Sequence, residues 1–205
     1  VVLHRLFWKN DGHLKWITLF LTLATFLVSL LLLSGDLAKS GFRFEQNIPW
    51  IPAIDTNYHV AVDGLSVWLV LLTTFIMPIA VVSTWNAVEK RRTAFYVFLL
   101  LLESAMIGVF VSLDLLLFYL FFEATLVPML FLIGIWGGEN RIYAAVKFFI
   151  FTAVGSLLML AAIIALYYVH LSETGVGTFD YLVLMRSIEL GHLAFTGPLA
   201  ATGTL

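Results

Sequence analysis

The chain has 205 residues, 61% of them hydrophobic and 12% charged, with a mean hydropathy of +1.01 and a formal net charge of −2. Ordinary water-soluble domains carry roughly 25% charged residues, so that class is excluded, and 11 Lys and Arg against 13 Asp and Glu leave no basic field for holding nucleic acid. There is no cysteine, which excludes disulfides, iron–sulfur clusters, thiolate zinc sites and thiol nucleophiles and leaves carboxylates, amines, imidazoles and water to carry any chemistry.

A helix that crosses a bilayer needs about 20 mostly apolar residues, and five such runs follow one another along the chain. Residues 1–15 form a charged connection containing Arg5, Lys9 and Lys15, and the apolar run behind it, 16–34, is too long for the core of a cleavable signal peptide. Residues 35–63 make a loop in which Pro49, Trp50 and Pro52 accompany the alternating stretch Phe42-Arg43-Phe44-Glu45, a pattern that suits a short interfacial hairpin. The second span, 64–86, is uncharged, and its Pro78 frees the carbonyl of Thr74.

The third span, 93–113, is interrupted only by Glu103, and the fourth, 115–137, only by Glu123. Together they are twice a bilayer thickness, so the chain must reverse at Asp114, whose carboxylate can cap the helix that follows. Pro128 in the fourth span removes the partner of the Ala124 carbonyl, which predicts a kink and an ordered-water position one residue from Glu123. The fifth span, 142–170, is interrupted only by Lys147, and residues 171–205 are too polar to cross and read as a loop. The fold class is therefore all-α polytopic membrane protein with five transmembrane helices. The chain starts at Val1 without an initiator methionine and stops in a Gly/Thr/Ala stretch, which reads as a piece of a longer protein.

Basic residues set the orientation. Seven of them (Arg5, Lys9, Lys15, Lys90, Arg91, Arg92 and Arg141) fall on one side and three (Lys39, Arg43 and Arg186) on the other, which makes the first side cytoplasmic and the 35–63 and 171–205 segments external.

Ionisable groups at membrane depth cost several kcal/mol and carry the functional argument. By rise per residue Glu103 and Glu123 are near mid-membrane and Lys147 is about 9 Å inside the cytoplasmic end, all three facing protein or water. The bland alternatives are a protonated Glu that merely bonds a neighbour and a Lys that snorkels. Ala144-Ala145, Gly155-Ser156 and Ala161-Ala162 read as close helix contacts. His59 and His170 read as solvated side chains at span ends, and Trp50, Trp68, Trp85 and Trp136 as interfacial or lipid-facing bulk. No metal-ligand spacing, phosphate-cradling loop or nucleophile elbow is present, so a redox cofactor on this chain alone is not expected.

Four segments carry a family resemblance: PWIP at Pro49–Pro52; YHVAVDGLSVWLVLLTTFIMPIAVVSTW at Tyr58–Trp85; ESAMIGVFVSLDLLLFYLFFEATLVPMLFLIGIWGG at Glu103–Gly138; and RIYAAVKFFIFT at Arg141–Thr152. Over almost its whole length the chain resembles the antiporter-like membrane subunits of respiratory complex I, and among them the M type of bacterial NADH-quinone oxidoreductase, equivalent to mitochondrial subunit 4. The general layout is shared with the sister L and N types and with Mrp sodium/proton antiporters, while the LTTFxxP-x(6)-W pattern after DGLS points to M.

The resemblance implies a 14-helix fold with inverted five-helix repeats, of which this chain would hold the spans equivalent to helices two to six. It implies that Glu123, in FFExxLVPM, and Lys147, in AxKFFIxT, are proton-translocating residues, with Glu103 at a position where family members often carry a glutamate. The family's lysine on the next helix, and the second half's lysine and glutamate, would come after residue 205. The implied function is coupling of NADH oxidation and quinone reduction to proton transport, with NADH, FMN, iron–sulfur clusters and quinone held by other subunits and none by this chain. Implied partners are L-type and N-type membrane subunits and the lipid bilayer, in a bacterial cytoplasmic (inner) membrane; the alternative is an Mrp-type sodium/proton antiporter subunit.

Overall fold

A computed structural model describes residues 11–34, 41–88 and 90–191; Arg5, Lys9, Lys39 and the part of the 171–205 segment beyond residue 191 lie outside the described residues. Among the described residues, five helices are long and apolar enough to cross a membrane. The first, α1, runs Asp11–Ser29 and tightens into a 3-10 segment at Leu30–Ser34. Within it the charge of Lys15 is met: its ammonium donates to the Trp85 carbonyl and lies 5.4 Å from the Trp85 ring centroid.

An antiparallel hairpin follows, β1 at Arg43–Ile51 and β2 at Thr56–Val62, so the protein is mostly rather than wholly helical. The turn is a single 3-10 turn at Pro52–Ile54 closed by Asp55 in the left-handed conformation, which Asp tolerates better than most residues. The register pairs Arg43 with Val62, Asn47 with His59 and Ile51 with Thr56, with irregularities between Arg43 and Gln46 and between Pro49 and Ile51. Pro49 has no N–H to give a ladder, and β1 is an edge strand, the place where proline is tolerated.

Helix α2 spans Ser66–Ser83, α3 Arg92–Val111, α4 Leu115–Trp136 and α5 Arg141–Thr174. Asp63 and Ser66 start α2 reciprocally, the Ser66 N–H donating to Asp63 Oδ1 at 2.7 Å and the Asp63 N–H to Ser66 Oγ at 2.8 Å. The reversal at Asp114 is real and its cause is visible: Oδ1 accepts from the N–H groups of Leu116 and Leu117 at 2.9 and 3.1 Å. Gly175, at φ 79°, ends α5 in the left-handed conformation that glycine adopts without strain. The 171–205 segment is corrected in part: α5 runs on to Thr174, and a short helix α6 occupies Tyr181–Glu189, capped by Asp180 through the N–H groups of Leu182 and Val183. At nine residues it is far too short to span.

Lipid tails are as apolar as leucine, so these helices are held together by close packing and buried polar contacts rather than by burial of apolar area. Helices α1 and α2 share a hydrogen bond of 2.8 Å between Ser29 and Thr74; one hydroxyl donates to the other, and the acceptor is left to donate back to a carbonyl of its own helix. Helices α3 and α4 approach so closely that a Cβ on Gly108 would meet the Phe121 ring. Helices α4 and α5 meet where Ala145 sits 3.6 Å from the Cβ position of Gly134. A cluster of Met77, Val81, Phe95 and Tyr96, flanked by Trp85 and Trp136, fills one end, and Val62, Val67 and Leu71 fill the hairpin end. Large apolar side chains such as Phe20, Phe75, Phe151 and Leu158 stay exposed, as a lipid-facing surface requires.

Candidate functional site

Counting from the reversal places the two carboxylates at one level. Glu103 is nine residues before Ser112 on α3 and Glu123 nine residues after Asp114 on α4, so each backbone lies about 13.5 Å from the turn. Glu103 is 3% exposed, and its Oε1 has no hydrogen-bonding partner among the described residues. Glu123 is half-buried at the α4–α5 interface, where the Ser156 hydroxyl donates to its Oε1. Ser156 is within 3.0 Å of the Ala153 carbonyl, so one hydroxyl sits between a carboxylate and its own helix. Tyr119, one turn before Glu123, borders both side chains.

Pro128 lies inside α4 and is buried, and by its missing N–H it leaves the Ala124 carbonyl beside Glu123 without the usual helical donor. Lys147 is elsewhere. It is exposed on α5, nine residues or about 13.5 Å along the axis from Ser156, with its ammonium 5.7 Å from the Tyr143 ring centroid. It is the one charged group lining an open groove of about 730 Å³ formed by residues including Tyr143, Ile150, Val154 and Leu158. Within the described residues no ion pair of 4.0 Å or less joins Lys147 to either glutamate. The structure thus brings Glu103 and Glu123 to the same depth on adjacent helices and leaves Lys147 on the outer face of the next one.

Such an arrangement suits proton transfer. A carboxylate can take a proton, and a serine hydroxyl both donates and accepts, so the Glu123–Ser156 pair is chemically able to exchange one. The reading of Gly155-Ser156 as a packing contact is incomplete, because Ser156 packs by bonding Glu123.

Sequence reasoning missed a second polar cluster, at the hairpin end. His59, expected to be solvated, is 2% exposed: Nδ1 is 2.5 Å from Asp180 Oδ2 and Nε2 is 3.0 Å from Glu45 Oε1. Asp114 Oδ2 accepts from the Asn57 N–H at 3.0 Å, and Asp114 and Asp180 bridge through their backbones. Burial pushes the Asp114 carboxyl above its ordinary value against the pull of its three N–H donors, and the charge of Asp180 pushes the same way. His170 is likewise buried, its Nε2 2.9 Å from Ser187 Oγ on α6 and its Nδ1 2.6 Å from the Val176 carbonyl. Glu45, His59 and Asp180 are separated by 14 and 121 positions, so no spacing could have joined them; the N-cap pattern at Asp180 was the only local signal. Among the described residues no group of three or more acidic or imidazole side chains could hold a metal ion.

Five apolar helices among the described residues, two carboxylates at one depth on adjacent helices and a proline inside the fourth span define an antiporter-like membrane bundle. Residues 112–200 match the family described as NADH:quinone oxidoreductase/Mrp antiporter, transmembrane. The chain is 49% identical over 196 residues to NADH-quinone oxidoreductase subunit M of Rhodobacter capsulatus, covering 94% of this chain and 36% of that one. It matches a chain of respiratory complex I from Thermus thermophilus, solved with bound NADH, at TM-score 0.71 and 29% identity over 84% of this chain and 34% of the other. A chain of the Mrp complex from a Dietzia species has the same fold at TM-score 0.62 and 17% identity, over 86% of this chain and 18% of the other. The chain is a homologue of the antiporter-like membrane subunits of complex I, of the M type, and spans about a third of the length of the curated relative it matches.

Proposed function

We propose that this chain is part of a proton-translocating membrane-arm subunit of an NADH-quinone oxidoreductase, in which Glu123 binds and releases the transported proton. The observation that carries the reading is the Glu123 carboxylate at mid-span, bonded to Ser156, in a chain 49% identical to a subunit M. Ser156 would hold the carboxylate toward α5 and pass its proton; Lys147, on the same helix, would be the charge whose approach or withdrawal changes Glu123's hold on that proton. Glu103, level with Glu123 on the neighbouring helix, would be a second acceptor. Redox chemistry, with its NADH, FMN, iron–sulfur clusters and quinone, would belong to other subunits, and membrane neighbours of the L and N types would flank this one. In this reading the hairpin and α6 face outward from a bacterial inner membrane, the rest of a 14-helix fold lies beyond the present chain, and the open groove at Lys147 is covered by it.

The test is Glu123→Gln in the full-length subunit within the assembled complex, reconstituted in liposomes. Loss of NADH-driven acidification with assembly intact is the expected result; near-normal acidification overturns the role. The Mrp-type alternative draws on the shared family description, but the fold match to that complex is at 17% identity against 49% for the subunit M relative. Sodium flux that persists without quinone reduction would favour it.

A further inference from the structure

The cluster at the hairpin end has a proton count that its geometry dictates. His59 presents both ring nitrogens to carboxylate oxygens, Asp180 Oδ2 at 2.5 Å and Glu45 Oε1 at 3.0 Å. An ionised carboxylate only accepts, and a neutral imidazole has a single N–H, so two hydrogen bonds need one proton more than a neutral ring between two carboxylates provides. The three groups come from separate elements: Glu45 from β1, His59 from β2, and Asp180 from the head of α6. We propose that Glu45, His59 and Asp180 form a proton-binding clamp that fastens strand β1 to the head of α6, with the bound proton as its ligand.

A further carboxylate lies beside the three. Asp114, at the head of α4, adds a third carboxylate bridged to Asp180 through the backbone, and among the described residues no lysine or arginine lies within 4.0 Å of Glu45, Asp114 or Asp180. Arg43 and Asp63, on the same hairpin and its exit, and Arg186 on α6 make no ion pair with the cluster. Among the described residues the charged groups in direct contact with His59 are therefore the two carboxylates of Glu45 and Asp180.

Loss of the proton has a defined consequence. The neutral ring keeps one N–H, and the carboxylate that loses its donor must turn away from a nitrogen lone pair. Asp180 is the one that stays, because its side chain is 6% exposed and its Oδ1 is fixed by the N–H groups of Leu182 and Val183. Glu45, whose side chain is 50% exposed, is free to leave. Strand β2 remains held, since the His59 carbonyl accepts from Leu113 N–H at 2.8 Å and Val60 bridges Ser112. The clamp thus releases the irregular start of β1 around Glu45, while β2 and the ladder from Gln46 onward stay in place. Nothing in this depends on proton transport through Glu123.

Hydrogen exchange of the full-length protein in its native assembly, read peptide by peptide and normalised for intrinsic rates between about pH 5 and about pH 9, tests the clamp. In the wild type, protection of the peptide containing Glu45 falls by about tenfold across that interval as pH rises, while the peptide containing Leu113 is unchanged. Glu45→Gln removes the step, because the amide can donate to the neutral ring, and His59→Gln leaves the β1 peptide weakly protected at every pH. A flat wild-type profile, or a step of undiminished size in Glu45→Gln, overturns the proposal. If His59→Gln fails to assemble, the wild-type and Glu45→Gln profiles decide.

Discussion

Ser156 of α5 donates its hydroxyl to Glu123 of α4, a side-chain hydrogen bond that ties those two helices together. It gives the mid-membrane carboxylate an orientation, toward the helix that also carries Lys147. Ser156→Ala keeps the packing volume nearly unchanged and removes the donor. Proton pumping per quinone reduced should fall by about five- to tenfold, the equivalent of roughly 1–1.5 kcal/mol, the worth of an ordinary hydrogen bond. Coupled acidification and reductase assays on the same liposomes measure it; unchanged pumping would make Ser156 a packing residue only.

Lys147 is the one charged group lining an apolar groove, with the Tyr143 ring beside it and, among the described residues, no ion pair to lose. Lys147→Met should therefore leave assembly intact or improved, as read by native gel electrophoresis and thermal unfolding. Pumping should drop by at least about tenfold if the charge acts on Glu123. A variant that pumps normally would assign Lys147 to snorkelling.

Gly108 faces the Phe121 ring with no room for a Cβ. Gly108→Ala should destabilise the α3–α4 pair by about 1–3 kcal/mol, visible as a lowered Tm, and Phe121→Ala in the same chain should recover part of the loss by opening the space.

The two caps respond to acid with opposite sign. Hydrogen bonds from Ser66 hold the Asp63 carboxyl below its ordinary 3.8, so its contribution is complete above that value and is lost as pH falls through the lowered one. Burial holds the Asp114 carboxyl above 3.8, so the folded state takes up its proton first, and stability declines as pH rises from 3.8 through the raised value. Thermal unfolding against pH in the acid range should lose the first trend in Asp63→Asn and the second in Asp114→Asn. Asp114→Ala should cost more, about 1–2 kcal/mol, because three backbone N–H groups lose their acceptor.

The spans were legible because their signal is local: apolar runs of bilayer length, and an aspartate where two of them must reverse. Glu103, Glu123 and Lys147 stood out for the same reason, each being a single charge inside such a run. What escaped was every contact that joins distant segments. Ser156 looked like a small packing residue because its partner is 33 positions away. His59 and His170 looked solvated because nothing near them in sequence announces that Glu45, Asp180 and Ser187 fold over them. Helix α6 was hidden by its length and polarity, and only its Asp180 cap marked it.

Helix α5 has 34 residues and α2 has 18, which at the helical rise makes them about 51 Å and about 27 Å long. Against a hydrocarbon core of about 30 Å they respond oppositely to hydrophobic mismatch. A thicker bilayer only wets fewer turns of α5, whereas α2 has no spare length and must stretch its flanking hairpin or thin the lipid around it. Membrane thickness is therefore felt first at α2, and through Asp63 and β2 it reaches the strand that carries His59.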